Sequence, residues 1–501
     1  MGNPTQERVT TRSNNGADYI QGNLTVPTSL PTPTFEYREH RREVRNLPRA
    51  QVAAGPIPIP IPIPIPIPFP LPGARVLMWK QDPTVAEIGI RKAFLPGHVF
   101  PGPKDARITS QGTATVSPNA FGDLIEPPGT DDFDTVHTFA VVRETLTMYQ
   151  RARAVGTTPA QIPWEWNTPG PPVNTDPLNV FAKAGETMNA FYQRSTKSLK
   201  FFFFTKPGDP PGSPKIFTCR SLDIVAHETG HAVLDGLKPH WLEGGPPQTG
   251  ALHESFGDLT AIFLALSQFD QVESVIAQTK ANLHDKSFLS DLAEQFGLAL
   301  GRPNGLRNAD NDLTLSEVST EVHALSQVFT GAIYDILADI FNFERRTAIK
   351  DDAATLYEVG KYVCSLVLRA IIAAPATAAT FANVANQMLI VANSDGKPVQ
   401  YRNFIRNRFT VRGVVVAATP LSLTADHELG EELVVAEHIS TDADAARNLR
   451  GTCGTMQLPE FTGGDELLRE QANELIDYLN STANEGREPA TRPAKTASSK
   501  A

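Results

Sequence analysis

The 501-residue chain has few cysteines, no long apolar segment and no excess of basic residues. Its cysteines, Cys219, Cys364 and Cys453, are far apart and odd in number, so they suggest neither a disulfide framework nor a CxxC metal pair. No segment offers the ~18 uncharged apolar residues of a membrane span, and the first thirty residues lack the apolar core of a signal peptide. We therefore expect a soluble chain that is cytoplasmic, or that is exported by a specialised system other than the general secretory route.

The charge balance excludes two classes of partner. The chain has 45 Lys and Arg residues against 55 Asp and Glu residues, which gives a formal net charge of -10. Proteins that track nucleic acid or anionic lipid need the opposite sign. We therefore expect no nucleic-acid partner and no membrane partner.

The composition changes several times along the chain, which is long enough for two or three domains. Short runs of β-formers punctuated by Gly and Pro give way, at about residue 221, to a succession of amphipathic helices. This order predicts an α+β fold with a β-rich subdomain followed by a mainly α subdomain. The predicted segments are 1–54, disordered; 55–73, a proline-rich linker or strap; 74–220, β-rich; 221–412, α-helical; 413–480, a C-terminal extension; and 481–501, a disordered tail.

Individual elements follow from hydrophobic periodicity. The helical period of 3.6 residues predicts five long helices, and strand-like runs follow them near residues 414–418 and 431–439, before a short helix at 466–479. The five long helices are predicted at residues 134–153, 223–237, 250–269, 322–341 and 356–373.

Proline occupies every second position from Pro56 to Pro72, with Ile, Phe or Leu between. Proline excludes a helix and a central strand, so the run predicts a polyproline II rod of roughly 50 Å at about 3.1 Å per residue. Two interpretations stay open, a stiff spacer or a strap that docks in a groove of a partner or of this chain. The spacer is the commoner role, but apolar side chains on every face of the rod favour a strap.

His227, Glu228 and His231 form an HExxH sequence inside a predicted helix. Residues at i and i+4 lie on one helical face, so the two histidines can share one metal ion, with Glu228 beside it. Zinc suits two imidazoles and one carboxylate with a fourth position open to water, whose proton a neighbouring carboxylate can take. The next helix offers Glu254 as the third ligand, with Asp258 four residues later on the same face.

The sequences of residues 223–235 and 250–258, DIVAHETGHAVLD and GALHESFGD, resemble the two zinc-binding helices of thermolysin-like peptidases. The resemblance implies a two-subdomain zincin fold with a zinc cleft between the subdomains. It also implies a zinc endopeptidase that hydrolyses internal bonds of proteins or peptides. The zinc ligands that it implies are His227, His231 and Glu254.

The resemblance assigns further roles around this zinc ion. Glu228 would be the catalytic base, and Asp258 would orient a zinc histidine, which we take to be His227. His253 is the rival ligand, because it adjoins Glu254 but is rotated about 100° around the helix.

A later segment, residues 321–326, resembles the part of these peptidases whose histidine stabilises the oxyanion of the tetrahedral intermediate. His323 would therefore be the second catalytic residue. A lone histidine at the start of a helix commonly has a structural role instead. The helix that follows His323 also resembles the family's helix, which favours the catalytic role.

Two segments resemble substrate-binding parts of the family. Gly-Leu-Arg at 305–307 is similar to its arginine segment, which implies that Arg307 binds a substrate carbonyl, although an exposed loop arginine is commonplace. Ile224 and Leu306 occupy positions that line the family's S1′ pocket. The resemblance therefore implies a medium to large apolar residue just after the cleaved bond.

The sequence Asn-Ala-Phe-Tyr at 189–192 resembles the edge strand that lies over the cleft in this family. Asn189 and Ala190 would pair with the backbone of an extended peptide. The alternative is an ordinary edge strand.

The chain departs from the family pattern in three respects. The tyrosine that usually helps to stabilise the oxyanion is missing between the zinc helices, and Trp241 or His240 are candidate substitutes. Asp223 matches one calcium position but equally suits a helix N-cap, and the acidic cluster after Asp258 is largely absent, so obligatory calcium is not expected. Family members normally carry a signal and a propeptide, and neither resembles the start of this sequence.

Two other functions remain open. The first is a binding protein whose peptidase domain is degenerate and whose proline-rich rod docks a partner. The second is a delivered toxin held inactive by its own N-terminal segment in the cleft.

Overall fold

A computed structural model describes residues 73–417, with gaps at 86–87, 113–114, 155–158, 244 and 303–304, together with residues 434–435. The predictions for residues 1–54, for the proline run and for the helix at 466–479 lie outside the described residues. So do the predictions for the tail and for most of the C-terminal extension.

The chain before residue 218 contributes eight strands to the described structure. They form an antiparallel pair β1–β2, an antiparallel pair β7–β8 and a four-stranded sheet of order β3-β4-β6-β5. In that sheet β4 is parallel to both of its neighbours, whereas β5 pairs antiparallel with β6 at the edge. The strands are β1 (Ala74–Trp79), β2 (Ile90–Leu95), β3 (Ile108–Gln111), β4 (Leu178–Phe181), β5 (Ala190–Gln193), β6 (Ser198–Phe201), β7 (Phe203–Thr205) and β8 (Lys215–Phe217).

One long helix, α1 (Asp131–Ala152), lies among these strands, close to the predicted 134–153. It begins at Thr130, whose side chain accepts a hydrogen bond from the backbone N–H of Phe133, and acidic residues in its first turn complement the helix dipole.

The chain after residue 221 is mainly helical. Its helices are α2 (Leu222–Leu237), α3 (Pro247–Leu266), α4 (Phe269–Thr279), α5 (Glu294–Ala299), α6 (Val322–Glu344), α7 (Asp352–Ala373), α8 (Phe381–Ser394) and α9 (Val399–Val411). Short antiparallel pairs join β9 (Asp291–Leu292) to β10 (Arg307–Asn308) and β11 (Val415–Ala417) to β12 (Val434–Val435). The predicted long helices correspond to α2, α3, α6 and α7, and the predicted late strands to β11 and β12.

The start of α2 corrects one prediction. The N-cap is Ser221, whose hydroxyl accepts from the N–H of Ile224. Asp223 is therefore not the cap. It lies buried in the first turn, and its carboxylate accepts a hydrogen bond from the N–H of Ala293, 3.2 Å away.

The described helices and strands share one hydrophobic core, in which α6 is almost wholly enclosed. By length and composition α6 can cross a membrane, but 89% of its most apolar stretch is buried inside the structure, so packing against other helices accounts for its composition. Cys219 and Cys364 are buried free thiols. The fold is of mixed α/β class with small sheets, as predicted at that level.

Candidate metal centre

α2 and α3 bring the three predicted zinc ligands together. The Nε2 atoms of His227 and His231 lie 3.1 Å apart, and Glu254 oxygens lie 3.4 Å from the first and 3.7 Å from the second. All three side chains are buried, and their ligand atoms fall within 4.8 Å of one another. The helical spacing of the HExxH sequence thus places both imidazoles on one face, opposite the carboxylate of α3.

The surroundings of Glu254 fit a cation. Glu254 is fully buried, and neither carboxylate oxygen has a hydrogen-bond partner within the described part of the chain. A buried carboxylate without a partner is costly unless a cation compensates it. Two imidazole nitrogens and one carboxylate are also a donor set that zinc prefers.

His227 is held from its outer side by Asp258 and Arg307. Its Nδ1 lies 3.0 Å from Asp258 Oδ1, so an N–H at Nδ1 donates to the carboxylate and leaves Nε2 free to bind metal. Arg307 donates two hydrogen bonds to the same carboxylate, from Nε to Oδ2 at 2.9 Å and from Nη2 to Oδ1 at 2.6 Å. Although burial opposes it, Arg307 and His227 hold the pKa of Asp258 at about 2.

His231 is held by a residue whose role the sequence analysis missed. The Nδ1 atoms of His231 and His253 lie 2.7 Å apart, and both side chains are fully buried. With Nε2 of His231 aimed at the centre, its Nδ1–H donates to His253. His253 therefore lies behind a ligand and is not brought into the ligand group, contrary to its role as rival ligand.

Two glycines let α2 and α3 approach closely. A Cβ at Gly257 would lie 2.6 Å from two ring atoms of His227, and a Cβ at Gly230 would lie 2.5 Å from Thr260 Oγ1. Gly257 therefore provides the space that the His227 ring occupies. Nothing in the sequence pattern alone marks these glycines, since both fall inside regular helices.

Glu228 is fully buried and points toward the edge strand β5. Its Oε2 accepts a hydrogen bond from the N–H of Tyr192, 3.0 Å away. Burial raises the pKa of Glu228 to about 8 in the metal-free protein, and a bound divalent cation would lower it. The Tyr192 hydroxyl donates to Asp235 Oδ2 at 2.6 Å, which fastens β5 to the end of α2.

His323 lies in the first turn of α6, with Nε2 3.4 Å from Glu254 Oε2. Its Nδ1 lies 2.6 Å from Glu321, whose other oxygen caps α6 by accepting from the N–H of Ala324 at 2.8 Å. Although burial opposes it, the Glu254 and Glu321 carboxylates raise the pKa of His323 to about 9. The structure thus brings His323 to the metal centre.

Three of the five predicted substrate-binding residues border the candidate metal centre. Ile224, Leu306 and Arg307 line one small cavity of about 10 Å³ together with His227. Ala190 begins β5 and Asn189 immediately precedes it; the Asn189 Oδ1 accepts from the Ala190 N–H at 2.8 Å.

The two candidate substitutes for the missing tyrosine are engaged elsewhere. Trp241 is buried and donates its indole N–H to the carbonyl of Pro375, 3.1 Å away. His240 contacts Glu243 with its Nδ1, and both side chains are about half exposed.

Other acidic groups are less suited to metal. Asp223 is buried near Asp82 and Glu294, and burial raises its pKa well above the usual range; these three do not form a converging ligand group in the described structure. His284, Asp310 and Asp335 do converge, but Arg412 already lies 2.9 Å from Asp335. The expectation that calcium is not obligatory stays a prediction.

No protein-family model matches the chain, and no curated protein matches it significantly.

Proposed function

We propose that the chain is a zinc-dependent endopeptidase of the thermolysin-like, gluzincin kind, with a β-rich and a helical subdomain flanking the cleft. One observation carries the proposal. His227, His231 and Glu254 converge, and neither oxygen of the buried Glu254 carboxylate has a hydrogen-bond partner within the described structure. Glu228, in the same helix turn, supplies a base that a purely structural zinc site does not need.

A zinc ion bound by these ligands would act as a Lewis acid toward the scissile carbonyl and an attacking water. Glu228 would take a proton from that water and pass it to the leaving amine. The Tyr192 N–H holds one Glu228 oxygen, which directs the carboxylate between β5 and the metal centre.

His323 acts as a donor to the oxyanion, since its Nδ1 is fixed by Glu321 and its Nε2 faces the centre. An extended peptide would pair with the edge strand β5 by replacing the present acceptors of the Ala190 and Tyr192 N–H groups, Asn189 Oδ1 and Glu228 Oε2, with its own carbonyls. That mode of binding takes internal segments of protein or peptide substrates, which favours an endopeptidase.

The proposal is tested by zinc content and casein cleavage of the wild type beside Glu228→Gln. The variant keeps all three ligands, so we expect one zinc per chain in both proteins and cleavage only by the wild type. Zinc in both with cleavage in neither would indicate autoinhibition or a narrow substrate range. Absence of zinc from both would refute the proposal and favour the degenerate binding protein.

A further inference from the structure

A pocket of about 350 Å³ lies between α1, α3 and α7, away from the candidate metal centre. Phe263, which lines the pocket, follows the candidate ligand Glu254 by nine residues, about 14 Å along α3. The volume falls within the range of pockets that hold small ligands in other proteins. The proposed peptidase chemistry makes no use of this pocket, although its lining combines buried apolar side chains with charged ones.

Two hydrogen-bond acceptors lie side by side in the pocket lining. The Gln268 amide donates from Nε2 to Glu144 Oε2 at 3.3 Å, which fixes the orientation of the amide. The Gln268 oxygen has no hydrogen-bond partner within the described residues, although Gln268 is only 9% exposed. Glu144 makes no ion pair in the same part of the chain, and burial raises its pKa although Lys80 lies nearby. A primary ammonium, with three donors and one positive charge, would satisfy both acceptors.

A cation lies two helical turns farther along α1. Arg151 follows Glu144 by seven residues, so the two residues lie about 10 Å apart along one face of the helix. The Arg151 guanidinium donates no hydrogen bond and makes no ion pair within the described residues. On the facing helix α7, Lys361 lies over the Tyr357 ring at 5.1 Å and adds a second positive charge to the lining. A carboxylate is the ligand group that suits a guanidinium best.

Between these two ends the lining is apolar. Met148 of α1 and Phe263 of α3 are both buried and form the floor of the pocket. The wall opposite α1 is α7, whose Ser365 hydroxyl donates to the Ala152 carbonyl at 2.8 Å and joins the two helices beside Arg151. Along α1 the pocket therefore presents a carboxylate, an apolar surface and a cation in that order.

We propose that this pocket binds a zwitterionic peptide of about three residues, with free amino and carboxyl termini and an apolar central side chain. Three extended residues span about 10 Å, which matches the separation of Glu144 and Arg151 along α1. The peptide ammonium lies against Glu144 and Gln268, and its carboxylate pairs with Arg151. The central side chain packs on Met148 and Phe263. Binding at this pocket does not depend on peptidase activity.

Isothermal titration of the full-length chain with the tripeptide Ala-Phe-Ala tests the proposal. The chain carries Glu228→Gln, which removes the proposed catalytic base, so that the peptide is not hydrolysed during the measurement. We expect the peptide to bind. Acetylation of its amino terminus or amidation of its carboxyl terminus should each weaken binding about 10-fold or more, because each cap removes a charge-assisted hydrogen bond.

Two variants of the lining locate the site. Glu144→Gln should lower the affinity about 10-fold, and acetylation of the peptide should then cost little more, because both changes remove the same contact. Arg151→Gln should have the same relation to amidation of the carboxyl terminus. Asp132→Asn and Arg153→Gln, equivalent changes at either end of α1 and outside the pocket lining, should leave the affinity unchanged. Absence of binding, or a cost of capping that stays undiminished in both lining variants, would overturn the proposal.

Discussion

His137 provides a prediction about acid stability whose magnitude follows from its surroundings. The residue is wholly buried in α1, where its ring stacks on Phe133 with centroids 6.2 Å apart. Burial lowers the pKa of His137 from 6.5 to about 4. The folded protein therefore holds this imidazole neutral under conditions in which the unfolded chain would protonate it.

The sign and size of the effect follow from linkage. Between pH 6.5 and pH 4 the unfolded state binds the extra proton, so the free energy of unfolding falls as the pH is lowered through this window. A pKa difference of about 2.5 units corresponds to a loss of about 3 kcal/mol, which is complete near pH 4. Above pH 6.5 the contribution is constant.

Urea unfolding of the wild type and of His137→Leu from pH 7 to pH 4 measures this contribution. The difference between their unfolding free energies should shift by about 3 kcal/mol across that range in favour of the variant, because leucine does not titrate. Other titrating groups, including those of the metal centre, largely cancel in this difference. His98→Leu, which removes an exposed histidine, is the control. A wild-type to variant difference that stays constant with pH would refute the reasoning.

Three further predictions concern the metal centre. His253→Leu should weaken zinc binding about 10- to 100-fold, as measured by isothermal titration. His253→Asn should retain most of the affinity, because the asparagine side chain can still accept a hydrogen bond from His231. An equal loss of affinity in both variants would contradict the positioning role of His253. Gly257→Ala should also lower zinc affinity, since its methyl group displaces the His227 ring, while Gly112→Ala in open space should not. Glu254→Gln should abolish zinc binding in isothermal titration and lower the pKa of His323 in an NMR titration of the metal-free protein, because a neutral amide replaces the carboxylate that raises this pKa; an unchanged zinc affinity would contradict this.

The parts of the site that follow from local periodicity are those that the sequence predicted. His227 and His231 share a face because they are one helical turn apart, and Asp258 follows Glu254 by the same spacing. The sequence also predicted the helices that carry these residues, because apolar residues recur with the helical period along α2 and α3.

The remainder depends on packing between segments that are distant in the chain. His253 meets His231 only when α3 lies against α2, and the link from Tyr192 to Asp235 needs the sheet edge beside that helix. Asp223 was a candidate N-cap of α2 for a local reason, since Ser221 and Asp223 are both good capping residues and only the backbone geometry decides between them.

The close approach at Gly257 also has an evolutionary consequence. Position 257 accepts no side chain because the His227 ring occupies the space, so under the proposed function we expect other residues there only after metal binding has been lost. Among homologous chains, glycine at this position should therefore accompany the complete ligand set. Larger residues should appear in lineages that have lost a histidine. Glycine at position 257 would then distinguish active from inactive homologues, even in sequence fragments that lack the HExxH segment.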